Sequence, residues 1–189
     1  MRGSSPRACP CSAISTERKD RWNMALREIR ETGDPVLNKV SKKVKEMTPR
    51  TKELIGDMYE TMREANGVGL AAPQVGILKR IVVIEVEEGE TYTLINPVIT
   101  KEDGEQTGYE GCLSVPGMTG IVTRPEHVVC EALDENMELR TIDAHGLLAR
   151  CICHELAHLD GHLYPEIASE MMTNEELERR EAEETEEEA

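Results

Sequence analysis

The chain has 189 residues and a formal net charge of −15; 39% of its residues are hydrophobic, but only 3% are aromatic and none is Phe. This length suits one domain with a core of Leu, Ile, Val and Met. The negative charge argues against a protein that reads nucleic acid, because phosphates attract Lys and Arg. No apolar run reaches the roughly 18 to 20 residues that a membrane helix needs, so we expect no membrane partner.

The sequence divides into three parts by composition. Residues 1–23 show no helical or strand periodicity and begin with the letters MRGS, which are typical of an expression-vector leader. We expect the catalytic domain over 24–170 and an acidic helix or tail over 171–189. Residues 1–23 also lack the apolar stretch of a secretory signal, which favours a cytoplasmic chain with reduced thiols.

The middle part predicts strands between two helices. Thr48 and Pro49 are a helix N-cap and first position, and Asn66-Gly67 ends that helix. A small, glycine-rich segment over 67–76 then permits close approach of the backbone to a ligand. Strands are predicted over 80–86, 92–95, 98–99, 106–109, 121–123, 127–133 and 138–143, with a break at Asn96-Pro97. Hairpin-length links favour an α+β fold with antiparallel sheets around a helix in the C-terminal half and one earlier helix.

That C-terminal helix carries His154-Glu155-Leu156-Ala157-His158 and ends at Gly161. Histidines four residues apart on one face can hold one metal ion, and the adjacent glutamate can reach water on that metal. Beyond this helix, Thr173 and Glu176 form a predicted capping box that opens a short charged helix.

The third metal ligand distinguishes the possible enzymes. A thermolysin-type peptidase would use a downstream glutamate, and Glu175 to Glu178 are near the required distance, although in an undifferentiated acidic run. The longer metalloprotease pattern fails, because position 164 is Tyr and not His. An upstream thiolate is the remaining choice, with Cys112 as the natural candidate; the ordinary alternative for Cys112 is a small buried hydrophobe.

Three segments together resemble the signature motifs of the peptide deformylase family, in the family's order, within about residues 24 to 164. They are Gly67-Val68-Gly69-Leu70-Ala71-Ala72-Pro73-Gln74, Glu110-Gly111-Cys112-Leu113-Ser114 and the helix from His154 to Gly161. The resemblance implies a hydrolase that removes the formyl group from N-terminal formyl-methionine. Its partners would be nascent formylmethionyl polypeptides, with the ribosome as a further partner, in a bacterial cytoplasm.

The resemblance also implies residue roles. The ligands of one divalent metal ion would be Cys112, His154 and His158; Fe²⁺ would be the native ion, and Zn²⁺, Ni²⁺ or Co²⁺ could substitute. Water on the metal would be the nucleophile and Glu155 the general acid and base. The Gln74 amide and the Leu113 backbone N–H would stabilise the oxyanion. Substrate binding would fall to Val68, Gly69, Glu110, Gly111, Leu147 and Cys151.

Two departures from the family's usual pattern lead to further predictions. The residues before the two histidines are Cys153 and Ala157, where Gln and Asp are usual, so Arg124 lacks an aspartate partner and should pair with another carboxylate or water. Cys151 and Cys153 point apart on a helix and should form no disulfide. Two alternatives remain: a zinc metallopeptidase with a downstream carboxylate, and a deformylase-like protein that binds formyl peptides or metal without turnover.

Overall fold

The computed structural model describes residues 25–187, with side chains as far as residue 183; the predicted leader over 1–23 lies outside this range. The helices are α1 (Pro49–Glu64), α2 (Gly146–Asp160) and α3 (Asn174–Glu187). The strands are β1 (Gly69–Ala71), β2 (Ile81–Glu87), β3 (Glu90–Asp103), β4 (Gln106–Gly111), β5 (Met118–Arg124), β6 (His127–Leu133), β7 (Leu139–His145) and β8 (Glu170–Thr173). Short 3₁₀ turns cover Ala72–Val75 and Tyr164–Glu166.

The strands form two sheets. One has five strands in the order β1-β2-β3-β6-β7, the other has three in the order β4-β5-β8, and the pairings between these strands are antiparallel. The prediction of an α+β fold with antiparallel sheets, a central C-terminal-half helix and one earlier helix is confirmed.

The five-stranded sheet lies between α1 and α2. Successive side chains of a strand point to opposite faces, so the buried run that starts β2 serves two cores. Val82 and Ile84 pack with residues of α2, whereas Ile81 and Val83 pack with residues of α1. The same sheet therefore fixes the helix that carries both histidines of the motif.

Three signals for helix ends in the sequence match the structure. Thr48 caps α1 by accepting a hydrogen bond from the Thr51 N–H, and Pro49 is the first helical residue. Gly161 ends α2 in the left-handed conformation, with φ of 85°. The capping box at α3 is also confirmed, because the Thr173 hydroxyl accepts from the Glu176 N–H and the Glu176 carboxylate accepts from the Thr173 N–H.

The predicted break at Asn96-Pro97 is wrong. β3 continues through both residues, and the irregularity is a shift of register against β6 between Ile95 and Val98. Asn96 takes a left-handed φ of 53°, and its side chain bonds both the N–H and the carbonyl of Val44. The turn-forming residues thus make a bulge and not a strand end.

The strands β1 and β8 were not predicted, and β8 contains residues on both sides of the predicted boundary between 170 and 171. Within residues 25–187, no helix has the combined length and apolar character that crossing a membrane requires.

Candidate active site

The two histidines of α2 meet the cysteine that follows β4. The His154 and His158 rings lie one turn apart with centroids separated by 5.0 Å, and only 8% and 1% of the two residues are exposed. The Cys112 Sγ is 3.2 Å from the His158 Nε2. One donor atom from each of the three residues lies within 4.8 Å of the other two. We call these three residues the Cys-His₂ cluster.

The chemistry of this cluster fits a divalent metal ion. The His154 Nδ1 donates to the Glu110 carboxylate at 2.9 Å, so its Nε2 is the ring nitrogen left for an ion. Burial lowers the pKa of His158 to about 3, which keeps that imidazole neutral. Burial also lowers the pKa of His154, but hydrogen bonds to Cys112 and Glu110 outweigh it and raise that pKa to about 10. One cysteine and two histidines offer the sulfur and nitrogen donors that zinc-type ions take.

Glu110 holds this arrangement in place. It is 5% exposed and accepts two hydrogen bonds from Arg124, at 3.0 Å each, and one from Arg150 at 2.9 Å. Burial raises the pKa of Glu110, but hydrogen bonds from His154 and Arg124 outweigh it and bring that pKa to about 2. The prediction that Arg124 finds another carboxylate is confirmed. The Glu110 side chain is bonded to His154, and Glu110 is not among the residues that line the neighbouring cavity.

Glu155 lies at the cavity beside His154. It is 4% exposed, and its Oε2 is buried without a hydrogen-bond partner. Burial raises the pKa of this carboxyl to about 7. A Cβ at Gly69 would come within 2.6 Å of the Glu155 Oε1 and 2.7 Å of the Cys151 Sγ, so only glycine leaves this carboxylate in position.

The Gln74 amide faces the same cluster from the 3₁₀ turn after β1. Its Oε1 accepts from the Ala71 N–H at 2.8 Å, which turns the Nε2 toward the Ser114 hydroxyl at 3.2 Å and the Cys112 Sγ at 3.5 Å. Leu113 lies between these two residues in the turn after β4. The Gln74 amide and the Ser114 N–H therefore both donate to the Cys112 sulfur.

A cavity of about 420 Å³ opens onto these groups. Its lining includes eight of the residues predicted from the sequence: Val68, Gly69, Gln74, Gly111, Cys112, Leu113, His154 and Glu155. His158 is not part of this lining but contacts Cys112 through its Nε2. The structure does not bring Leu147 to this cavity; the residue is 54% exposed and is not part of the lining. Cys151 is buried behind Gly69, with its Sγ 3.8 Å from the Val68 carbonyl.

The structure also tests two further predictions, the identity of the third metal ligand and the absence of a disulfide between Cys151 and Cys153. Among residues 25–187, the group of metal donors that contains both motif histidines has Cys112 as its third member and none of the glutamates 175–178. Cys151 and Cys153 are free thiols, as predicted.

Four residues near the site were not found from the sequence. Ser114 bonds the Gln74 amide, Arg150 bonds Glu110, and Tyr164 stacks on His154 with ring centroids 5.9 Å apart. Asn174 lines the cavity and accepts from the Thr119 hydroxyl. Only Arg150 carried a usable signal, since an arginine on the apolar face of a helix requires a buried partner.

Known proteins resemble this chain along most of its length. A model of the polypeptide deformylase family matches residues 26–174. A peptide deformylase of Agathobacter rectalis is 65% identical over 143 residues, which cover 76% of this chain and 90% of that protein. A peptide deformylase of Acetivibrio thermocellus is 54% identical over 157 residues, covering 83% of this chain and 92% of that protein.

Solved structures agree. A peptide deformylase from Legionella pneumophila is 41% identical with a TM-score of 0.75, over 77% of this chain and 87% of that one. One from Synechococcus elongatus, in complex with actinonin, is 40% identical with a TM-score of 0.74, over 76% of this chain and 80% of that one. The matched region contains the Cys-His₂ cluster, Glu155 and Gln74, and the chain belongs to the polypeptide deformylase family of enzymes.

Proposed function

We propose that this enzyme removes the formyl group from the N-terminal formyl-methionine of newly made polypeptides and releases formate. Members of this metal-dependent family act on formylated nascent chains. The observation that carries the proposal is the Cys-His₂ cluster at a cavity of about 420 Å³, next to a buried carboxylate with an unpartnered oxygen. The enzyme would encounter these substrates in a bacterial cytoplasm, and the ribosome would be a further partner.

Cys112, His154 and His158 would hold one divalent ion, for which we propose Fe²⁺ as the native metal. The same donors accept Zn²⁺, Ni²⁺ or Co²⁺. When bound, such an ion acts as a Lewis acid that polarises a carbonyl oxygen and makes water a stronger nucleophile. Glu110 would orient His154 for this purpose through the hydrogen bond to its Nδ1.

Glu155 would move the proton. As water attacks the formyl carbon, the Glu155 carboxylate would take the water's proton and pass it to the departing amine of methionine. The unpartnered Oε2 leaves one oxygen free for this exchange. Because Glu155 is only 4% exposed, bulk water is kept from competing for the proton.

Gln74 and Leu113 would stabilise the negative charge that develops on the formyl oxygen. The Gln74 Nε2 is already turned toward Cys112 and Ser114, so little reorganisation is needed. Removal of one such donor typically costs about 2.7 to 4 kcal/mol of barrier.

The substrate peptide would lie along the edge of the three-stranded sheet. β4 is an edge strand, and Gly111 at its end lines the cavity. An extended peptide can add to such an edge through backbone hydrogen bonds, to which Glu110 and Gly111 would contribute. Val68 and Leu113 offer apolar surface for the methionine side chain, and Gly69 gives close access to the backbone. Roles for Leu147 and Cys151 in binding remain sequence predictions.

The Glu155→Ala variant tests the proposed mechanism. We expect it to keep a full complement of metal, because Glu155 is not a ligand, and to lose formate release from formyl-Met-Ala-Ser. Metal analysis and a formate assay on the same preparation measure both properties. Turnover at the wild-type rate would overturn the role of Glu155. Absence of formate release by the metal-loaded wild type would overturn the proposed activity itself and favour a protein that binds without turnover.

A further inference from the structure

A second cluster of metal-binding side chains lies at the edge of the five-stranded sheet. His127 begins β6, and Asp143 and His145 are near the end of β7. The Asp143 Oδ1 is 2.6 Å from the His127 Nε2 and 3.5 Å from the His145 Nε2, and the three donor atoms lie within 4.8 Å of one another. We call these residues the His127 cluster.

The register of the sheet brings these side chains together. His127 and His145 are directly opposite each other, and the Gly146 N–H donates to the Glu126 carbonyl. This hydrogen bond identifies a non-hydrogen-bonded pair, the type in which opposite side chains are closest. The two imidazole rings stack accordingly, with centroids 4.2 Å apart and planes inclined by 9°. Asp143 is two residues before His145 and so lies on the same face.

A further carboxylate completes the arrangement. The Glu126 Oε2 is 3.3 Å from the His145 Nδ1, the ring nitrogen that faces away from Asp143. A carboxylate at the second nitrogen is the usual support of a histidine that binds metal through the first. The His127 side chain is 14% exposed, whereas those of Asp143 and His145 are 70% and 63% exposed, so an ion could enter from solvent.

We propose that the His127 cluster binds a divalent transition-metal ion of the Zn²⁺ type. Two imidazoles and a carboxylate favour Zn²⁺, Ni²⁺, Cu²⁺ or Co²⁺ over Mg²⁺ and Ca²⁺, which prefer oxygen ligands alone. Tetrahedral zinc with Zn–N bonds of about 2.0 to 2.1 Å places its donors about 3.3 Å apart. The 3.5 Å between Asp143 and His145 fits this spacing, whereas the 2.6 Å hydrogen bond between Asp143 and His127 would lengthen and one of the stacked rings would turn when the ion binds. The ordinary alternative is a pair of surface histidines held only by ion pairs to Asp143.

Such an ion would connect β6, β7 and the start of α2, because His145 is the N-cap residue of that helix. Anything that binds the folded state alone raises its stability by mass action. The proposed role is therefore to stabilise the fold, and it does not depend on the deformylase mechanism.

The test is a Zn²⁺ titration by calorimetry on protein already loaded at the Cys-His₂ cluster. Cys9 and Cys11 are replaced by Ser throughout, so that thiols outside the described residues bind no zinc. We expect a second equivalent of zinc, which the His127→Ala/His145→Ala variant loses without any change in formate release. Asp143→Asn should weaken this equivalent by at least about tenfold. The matched control is His162→Ala, because His162 is an exposed histidine that pairs with a carboxylate, Glu166, outside either cluster.

Co²⁺ distinguishes the two sites by spectrum. An ion at the Cys-His₂ cluster has a thiolate ligand and a sulfur-to-metal charge-transfer band, which an ion at the His127 cluster lacks. We expect the second equivalent of Co²⁺ to add only ligand-field bands. In thermal unfolding, we expect zinc beyond the first equivalent to raise the Tm of the wild type but not of His127→Ala/His145→Ala. Binding of a single equivalent by the wild type, or retention of the second by both His127→Ala/His145→Ala and Asp143→Asn, would overturn the proposal.

Discussion

Gly69 lies so close to Glu155 that there is no room for a side chain at position 69. The space that a side chain would occupy there is filled by the Glu155 carboxylate and the Cys151 thiol. Both are buried, and both lie in α2, which packs against the five-stranded sheet. A methyl group at this position can therefore be accommodated only if the carboxylate moves away from the cavity.

For Gly69→Ala we predict a fall in kcat/KM of about 100-fold, the size expected when a reacting group is misplaced by about 1 Å. Metal content should stay at the wild-type level, since the ligands lie on other residues. Steady-state formate release and metal analysis are the two measurements. A variant with wild-type kcat/KM would show that the position of Glu155 is not critical.

The partner of Arg124 could be predicted only in part from the sequence. Because Ala157 replaces the aspartate that is usual in the family, the resemblance predicted that Arg124 pairs with another carboxylate or with water, and its partner is Glu110. The identity of Glu110 was not predictable, because fourteen residues of chain and a strand turn separate the two in sequence. The position of Arg150 indicates that it needs a buried partner, but which residue that is could not be predicted for the same reason.

Among the elements, Glu110 connects β4 to β5 through Arg124 and to α2 through Arg150 and His154. The side chains of Glu110, Arg124 and Arg150 are 4%, 10% and 9% exposed. Removal of one member of such a buried network leaves the remaining charges without compensation, which costs far more than loss of a surface pair.

We predict that Glu110→Ala lowers the free energy of unfolding by about 3 to 5 kcal/mol. The control is Glu138→Ala, which breaks an exposed pair with Arg140 and should cost no more than about 1 kcal/mol. Urea denaturation of both variants gives the comparison. Equal effects for the two variants would mean that the Glu110 network does not hold the strands and α2 together.

The helices and longer strands followed from local signals, whereas the short strands did not. Caps and apolar periodicity at Thr48, Pro49 and Gly161 act within a few residues and so are visible in sequence. β1 and β8 have three and four residues, too few for a periodic pattern, and exist because β2 and β5 offer them partners. Asn96 was misjudged because its hydrogen bonds to Val44 span 52 residues.

Across the whole molecule, the C-terminal segment belongs to the sheet before it becomes an acidic helix. β8 pairs with β5, Met172 is 2% exposed, and Asn174 lines the cavity. The acidic part proper begins after these residues, so a cut at the predicted boundary of 170 would remove part of the fold.

Deletion of 171–189 should therefore lower the free energy of unfolding by at least about 2 kcal/mol, the typical cost of losing one buried Met side chain. Deletion of 182–189 should change it by no more than about 0.5 kcal/mol, as surface changes usually do. Thermal and urea unfolding of the two truncated chains measure the difference. If both deletions were equally harmless, β8 would not be an essential part of the domain.

In the proposed function, Cys112 is the residue that joins two histidines into a catalytic metal site. The most direct measurement is formate release from formyl-Met-Ala-Ser by protein loaded anaerobically with Fe²⁺, compared between wild type and Cys112→Ala. We predict formate release by the wild type and none above background by the variant, because two imidazoles alone do not retain the ion. Formate release by Cys112→Ala at the wild-type rate would contradict the role of Cys112 as a ligand of the catalytic metal ion.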